Sequence, residues 1–345
     1  MVSVFCFSFA VPAVPQALSY FILMLGVSLS LVGLIFFKYK FSFVLDKFEF
    51  WGMLILLVIV LYKFLFFEYF SIFLFFKFFA FYLFFLSFYL SLSYSDSRSE
   101  LFLFKLLFIM GGGLFVYLLK GGDVLENYPA AFMYLFVMSC FFSKSRFSWA
   151  FILLFVVVCL LTGARTILGC SFVVLAFYCI AIFNIKLARF SCLFFLLLVL
   201  WFVFYGVYLP ANFEFFNELL TYRPTLWFFY LQGLDNIYIG DGGMSFLGED
   251  AASYLSSTLN RGVASVYGEH SLLIHTISNY GIVGLSIFLI ILIRSILLGS
   301  VITVAMCGGA ILLLSMTTIF IGSTNIYGLI LMVSVFYNMV SYGKS

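Results

Sequence analysis

The fold class is decided by apolar stretches such as residues 151–161, which read FILLFVVVCLL and contain no charged side chain. Similar runs recur along the chain, which is 66% hydrophobic and 9% charged and has a mean hydropathy of +1.23. Such runs approach the ~20 apolar residues that a helix needs to cross a bilayer. A membrane β-barrel would need ~10-residue segments of alternating polarity, and these runs do not alternate. The sequence therefore predicts an all-α, polytopic transmembrane helical bundle.

The apolar runs predict about eleven membrane spans, with a range of about 10–12 because short runs can be tilted or re-entrant. To within ~2–4 residues at each boundary, the spans lie at 18–37, 49–67, 70–93, 101–119, 128–142, 148–163, 166–183, 190–209, 271–293, 297–320 and 324–341. The chain thus divides into N-terminal transmembrane helices at 1–209, a polar insert at 210–270 and C-terminal transmembrane helices at 271–345. Residues 1–16 lack the basic n-region of a cleavable signal peptide, so we expect no such peptide.

The basic residues predict the orientation, because Lys and Arg close to span ends are retained on the cytoplasmic side. If the loops alternate sides, one set of loops holds most of these residues: Lys38, Lys40, Lys47, Arg98, Lys144, Arg146, Lys186, Arg189, Arg294 and Lys344. The opposite set holds Lys120, Arg165, Arg223 and Arg261, together with most of the acidic residues. We therefore expect the first set and the C-terminus to be cytoplasmic and the polar insert to be extracytoplasmic.

The insert concentrates polar side chains in a chain that is otherwise poor in them, and it holds Arg223 and His270, one of only 2 histidines. Its residues 212–234 mix apolar, acidic and basic side chains, which favours a helix at the outer membrane interface, broken or begun by Pro224. The turn-rich segment Gly240-Asp241-Gly242-Gly243 is either a flexible loop or a lid whose backbone N–H groups approach a substrate anion.

Four charged or titratable residues lie near span ends, and two of them, His270 and Arg165, have both a structural and a functional interpretation. If a span starts near His270, the positive end of the helix dipole favours the neutral imidazole, which can accept a proton; the alternative is a simple interfacial residue. Arg165 lies in a short break between two apolar runs. It is either an anchor whose side chain reaches the headgroups or a contact for an anion in a cavity. His275 is expected to be a packing residue. Lys63 is interpreted as an anchor whose long stem reaches the headgroups.

A metal site would be an alternative use of the insert, because it carries several candidate ligands: Asp241, Glu249, Asp250, Glu269 and His270. Their spacing matches no recognised ligand pattern, and His270 and His275 are not an i, i+4 pair on a zinc helix. The chain's 7 cysteines also lack CxxC spacing. We therefore expect no metal ion and no cofactor.

Three short elements occur in order, and on one predicted side of the membrane, in the second half of the chain. They are Gly163-Ala164-Arg165 between two spans, Arg223-x-x-x-Trp227 followed by Gly240-x-Gly242, and His270-Ser271-x-Leu273 followed by Gly281-Ile282-x-Gly284. Together they resemble the family of O-antigen polymerases and O-antigen ligases, membrane glycosyltransferases that use undecaprenyl-diphosphate-linked sugars. Ser271 departs from the usual pattern of this family, in which Asn commonly follows the His.

The resemblance implies glycosyl transfer from a lipid diphosphate. Arg165 and Arg223 would bind the diphosphate, since a guanidinium group can engage two phosphate oxygens. His270 would be the general base for an incoming sugar hydroxyl, with Glu269 orienting or replacing it. Weaker substrate contacts are assigned to Tyr222, Trp227, Gly240, Gly242 and Ser271, although Tyr and Trp also form interfacial belts without any ligand. The displacement would invert the anomeric carbon and would need no metal.

Within this family the short chain and compact outer loop favour a polymerase. The implied location is the bacterial inner membrane, with undecaprenyl-diphosphate-linked glycans, membrane lipids and a chain-length regulator as partners and no nucleic acid. An O-antigen ligase or another lipid-linked oligosaccharide transferase is the alternative enzyme. A lipid-linked oligosaccharide flippase or exporter is the alternative of another class; it would spread charged residues through many spans near the membrane midplane and show related halves.

Overall fold

The computed structural model describes residues 47–66, 165–208, 223–241 and 271–316, together with residues 153, 156, 157, 159 and 160. The elements of this described part are six helices, with no strand among them: α1 (Lys47–Phe66), α2 (Arg165–Phe183), α3 (Ile185–Tyr208), α4 (Arg223–Gln232), α5 (Leu272–Leu298) and α6 (Val301–Met316). The all-α prediction is confirmed for these residues. The predicted spans at 18–37, 70–93, 101–119, 128–142 and 324–341, and most of 148–163, lie outside them.

By length and composition, two helices of the described part could cross a membrane: Ile185–Tyr205 within α3, and α5. Shorter apolar helices occur at Leu54–Phe66, Leu168–Phe183 and Val301–Leu312. These helices overlap five of the predicted spans: 49–67, 166–183, 190–209, 271–293 and 297–320. The described helices therefore agree with a membrane protein, and the full number of spans stays a prediction.

A single residue, Asn184, separates α2 from α3, whereas the predicted spans leave a loop at 184–189. The Asn184 Oδ1 atom accepts hydrogen bonds from the backbone N–H groups of Lys186 and Leu187, at 3.0 and 3.2 Å. Asn is a favoured residue at a helix start because it satisfies donors that the first turn leaves free. As a result, α3 begins at Ile185 instead of residue 190, and Arg189 lies within the helix.

The relative directions of the helices follow from contacts between them. α2 packs antiparallel to α6, because the residue numbers of the contacts rise in one helix and fall in the other: Gly169 with Leu312, and Phe177 with Gly308. α1 packs antiparallel to α5 for the same reason: Gly52 contacts Ile287, Leu56 contacts Gly284, and Lys63 contacts Asn279. Parallel packing of α3 with α6 is shown by two polar contacts: Arg189 with Gly299, and Cys192 with Val304. Thus α2 runs antiparallel to α6, α1 runs antiparallel to α5, and α3 runs parallel to α6.

One end of this bundle is called the insert end here, and it holds the end of α1, the start of α2, the end of α3, the start of α5 and the end of α6. The start of α5 is joined to α6 directly, because the Ser271 Oγ atom donates a hydrogen bond to the Leu314 carbonyl oxygen at 3.1 Å. These directions are the ones that the five corresponding predicted spans require. Which end faces the cytoplasm stays a prediction from the basic residues.

Candidate functional site at a broken helix

The helix α5 is interrupted at Gly281, whose backbone has φ 67° and ψ −169°. This conformation is open to glycine and strained for residues with a Cβ atom. A Cβ atom at this position would also overlap the Tyr238 carbonyl group. The sequence predicted a span at 271–293 and did not predict this break. Two segments result, residues 272–280 and 282–298, called the first and second halves of α5 here.

The insert supplies the backbone partners that this break requires. The N–H groups of Ile282 and Val283, at the start of the second half, donate to the carbonyl oxygens of Ile237 and Tyr238 at 2.9 and 3.2 Å. In the opposite direction, the Asp241 N–H group donates to the Ser278 carbonyl oxygen at 2.8 Å. Because buried backbone groups must be paired, residues 233–241, called the insert loop here, complete a helix that cannot complete itself.

Side chains of the insert loop hold it in shape. The two carboxylate oxygens of Asp241 accept hydrogen bonds from the N–H groups of Asp235 and Asn236, at 3.0 and 3.2 Å. The Asn236 side chain in turn accepts from the N–H groups of Tyr238 and Ile239, at 3.0 and 3.3 Å. Short polar side chains commonly stabilise turns in this way. The loop therefore has a defined conformation that its own sequence supports.

Gly240 is buried between this loop and α5, with φ 69°. A Cβ atom there would lie 2.5 Å from the carbonyl oxygens of Ile277 and Ser278, so the close approach of the two backbones requires glycine. Its N–H group donates to the Asn236 carbonyl oxygen at 2.7 Å. This N–H group therefore has an internal acceptor, and the loop or lid role of residues 240–243 stays a prediction. Gly242 lies outside the described residues.

Lys63 corrects one prediction. Instead of reaching towards headgroups, its side chain is 1% exposed and its Nζ atom donates a hydrogen bond to the Asn279 carbonyl oxygen. Asn279 lies near the carboxyl end of the first half of α5, where a helix dipole attracts a cation. A position near the end of a span does not distinguish a lysine that reaches the headgroups from a buried one. Lys63 is buried because this face of α1 packs against α5.

The first half of α5 carries a second polar contact beside this one. The Asn279 Nδ2 atom lies 2.7 Å from the His275 Nε2 atom and 2.8 Å from the His275 carbonyl oxygen. With the amide donating, Nε2 is the acceptor. His275 is 5% exposed, in agreement with the packing role predicted for it. Sequence reasoning missed Asn279, although a polar amide next to a glycine inside an apolar run was a usable signal.

The predicted diphosphate ligands begin two of the helices. Arg165 is the first residue of α2 and Arg223 is the first residue of α4; their side chains lie outside the described part. In α4, Pro224 takes the second position, so it begins the helix, as one of the two predicted possibilities had it. Trp227, assigned to substrate, is instead fully buried on α4.

Ser271 is the N-cap of α5. Its Oγ atom accepts from the Ile274 N–H group at 3.5 Å while donating to Leu314, and the residue is fully buried. Hydroxyl groups at this position satisfy donors of the first helical turn. The hydroxyl therefore caps α5, and its contact with substrate stays a prediction. His270 directly precedes it in sequence and, like Glu269 and Tyr222, lies outside the described residues.

The starts of α2 and α5 both lie at the insert end. Gly169, four residues after Arg165, faces Leu312 of α6, whereas Ser271 bonds to Leu314 of the same helix. Two residues along a helix correspond to a rise of about 3 Å. The structure therefore brings the backbone of Arg165 and the residue that follows His270 to one end of α6.

No family model, no curated protein and no solved structure matches this chain. Among the described residues, no group of three His, Cys, Asp or Glu side chains could hold a metal ion. Glu249, Asp250 and Glu269 lie outside those residues, so the metal alternative is not tested.

Proposed function

We propose that this chain is a membrane glycosyltransferase that polymerises undecaprenyl-diphosphate-linked repeat units on the outer face of the bacterial inner membrane. It would transfer a growing glycan from its lipid diphosphate to the terminal sugar of another lipid-linked repeat unit. Its partners would be these glycans, membrane lipids and a chain-length regulator, with no nucleic acid. The proposal rests on the three sequence elements that resemble O-antigen polymerases and ligases.

One structural observation carries the proposal further. α2 starts with Arg165, and α5 starts directly after His270 and Ser271; both starts pack on the last turns of α6. Two residues 105 positions apart in sequence (270 − 165) thus begin or precede helices at one end of the bundle. This common end supports a shared site for an arginine and a histidine, as a lipid-diphosphate substrate requires.

The chemistry of the proposed step needs three groups. His270 accepts the proton of an acceptor hydroxyl whose oxygen attacks the anomeric carbon of the donor. The bond from that carbon to the diphosphate oxygen breaks, and the diphosphate leaves with the electron pair. Arg165 and Arg223 stabilise the negative charge that builds up on the leaving group. The anomeric configuration is inverted, and neither a metal nor a cofactor enters the step.

Deleting the gene and separating the surface polysaccharide on a gel tests the function. Loss of a polymerase leaves single repeat units attached to the lipid core. Loss of a ligase, or of another transferase acting at that stage, leaves none attached, and loss of a flippase leaves the units unexposed at the outer face. A pattern without single attached units contradicts the proposal.

One observation favours the transport alternative, a lipid-linked oligosaccharide flippase or exporter. The break at Gly281, with the buried Lys63 ammonium on the Asn279 carbonyl group, is of the kind found in transporters, where broken helices line a substrate path. A buried ionisable group within a predicted span is also a common mark of transport sites. Purified protein in vesicles distinguishes the two, because a flippase moves a lipid-linked unit across the bilayer without lengthening its glycan.

A further inference from the structure

We propose that Lys63 is a positioning residue whose ammonium group ties α1 to the first half of α5 at its break, next to the carbonyl group that holds the insert loop. The contact joins residues 216 positions apart in sequence, and it is buried. It connects α1, through the lysine stem, with the Asn279 carbonyl group, while the N–H group of Asp241 joins the insert loop to the neighbouring Ser278 carbonyl oxygen.

The position of the ammonium group explains why a cation is needed there. A helix that stops inside a protein leaves carbonyl groups without partners, and in broken membrane helices such carbonyl groups coordinate a bound cation. Here the Asp241 N–H group takes the Ser278 carbonyl oxygen, and Lys63 takes that of Asn279. Lys63 therefore acts as a cation that is covalently attached to the neighbouring helix.

Packing alone does not account for a lysine at this place. Burying a charged group costs free energy unless hydrogen bonds compensate for it. A methionine would fill the same space at a lower desolvation cost. What the lysine adds is a directed hydrogen bond from α1 to the carbonyl group at the break.

The clamp also lies between the two predicted catalytic segments. The first half of α5 begins directly after His270 and Ser271, and the insert loop follows α4, which begins with Arg223. A shift at the break would therefore move both segments. This last step rests on the proposed function; the clamp itself does not.

Hydrogen–deuterium exchange of the full chain in lipid nanodiscs tests the clamp. In Lys63→Met, the N–H groups of Asp241, Ile282 and Val283 should exchange roughly 10- to 100-fold faster, the equivalent of one lost hydrogen bond to a charged group. The matched control is Lys186→Met, which makes the same change at an exposed lysine of α3 and should leave these rates unchanged. Unchanged rates in a folded Lys63→Met protein would overturn the proposal, as would an equal rise throughout α2, α3 and α6.

Lys63→Gln provides a second approach if Lys63→Met does not fold. Its side chain is polar but shorter and uncharged, so the amides of Asp241, Ile282 and Val283 should again exchange faster. Exchange rates equal to those of the unmodified protein would contradict the need for a cation at the break.

Chemical rescue separates a cation requirement from a packing requirement. In Lys63→Ala, added ethylammonium should restore slow exchange at these amides, whereas sodium chloride at the same concentration should not. Equal effects of both salts, or no rescue, would overturn the attached-cation role. Faster exchange in Lys63→Met with full polymer in cells would support the clamp and contradict its link to polymerisation.

Discussion

The two halves of α5 belong to one apolar helix, yet their surroundings differ. Every residue from Leu272 to Gly281 is buried, including four polar side chains: His275, Thr276, Ser278 and Asn279. The second half leaves large apolar side chains exposed on one side: Ile282, Val283, Ile290, Leu297 and Leu298. The comparison indicates that the first half is surrounded by protein, whereas the second half has a face suited to lipid.

Polar side chains can be buried in the first half because hydrogen bonds satisfy their donors and acceptors. Thr276 Oγ1 donates to the Leu272 carbonyl oxygen at 2.7 Å, and Asn279 bonds to His275. An unpartnered buried polar group would cost about 1–3 kcal/mol. The second half is mainly apolar: besides Arg294, its polar side chains include Ser295, which bonds within its own helix. Mutations in the first half should therefore have larger effects than matched mutations in the second.

The largest effect is expected at the start of the first half. His270→Ala and Arg223→Ala should abolish polymer at normal protein abundance, because a general base contributes roughly 10²–10⁴-fold to the rate and the diphosphate loses a bidentate partner. The measurement is a surface-polysaccharide gel, with an immunoblot of the membrane fraction. Loss of the protein itself would make these residues structural anchors.

Arg165→Lys should also lose most of the polymer, since an ammonium group keeps the charge and lacks the guanidinium fork. The matched control is Arg294→Lys in the second half of α5, which should keep normal polymer length on the same gel. Full polymer from the Arg165, Arg223 and His270 variants together would remove the proposed site.

The next largest effect is expected at the break. Gly281→Ala forces a residue with a Cβ atom into the left-handed region, at a cost of roughly 1–2 kcal/mol before the overlap with Tyr238 is added. The thermal unfolding midpoint of the detergent-solubilised protein should fall. Ile290→Ala, at a 42% exposed position of the second half, should change the free energy of unfolding by less than about 0.5 kcal/mol. Equal midpoints for Gly281→Ala and the unmodified protein would mean that α5 is continuous.

Much of the described helical framework could be predicted from hydropathy, because the apolar runs that give α1, α2, α3 and α6 differ sharply from their surroundings. The break in α5 could not be predicted, since apolar residues continue on both sides of Gly281 and the partner loop is about 40 residues away (281 − 241). The sequence Asn279-Tyr280-Gly281 could equally occur in a straight helix. Only the approach of Tyr238 and Ile237 explains the interruption.

The predicted and observed site residues differ for a related reason. Arg165, Arg223 and His270 were predicted because charged and titratable side chains are rare in this chain, and rarity can be read from a sequence. Lys63 has the same property and was assigned to the headgroups, because the direction in which a helix face points depends on its neighbours. That direction becomes visible only once α1 is seen to pack on the first half of α5.

A smaller difference should separate Asn279→Ala from Ser295→Ala, the buried polar groups of the two halves. Asn279→Ala removes the amide that lies 2.7 Å from the His275 Nε2 atom and should cost about 1–3 kcal/mol of stability. Ser295 Oγ donates to the Ile291 carbonyl oxygen at 2.9 Å within its own helix, so its loss should cost below about 1 kcal/mol. Denaturant unfolding in mixed micelles measures both, and the reverse order would contradict the comparison.

The smallest expected effect concerns Ser271, for which the sequence and the structure give different roles. If Ser271 is a cap, Ser271→Ala should cost about 1 kcal/mol of stability and leave polymer length unchanged. Ser300→Ala, at an exposed position whose hydroxyl lies 3.4 Å from Thr303 Oγ1, is the matched control and should cost less. Shortened polymer at unchanged stability would assign the hydroxyl to substrate instead. It would then extend the site from His270 into the first turn of α5, where the structure gives the hydroxyl to Leu314 and Ile274.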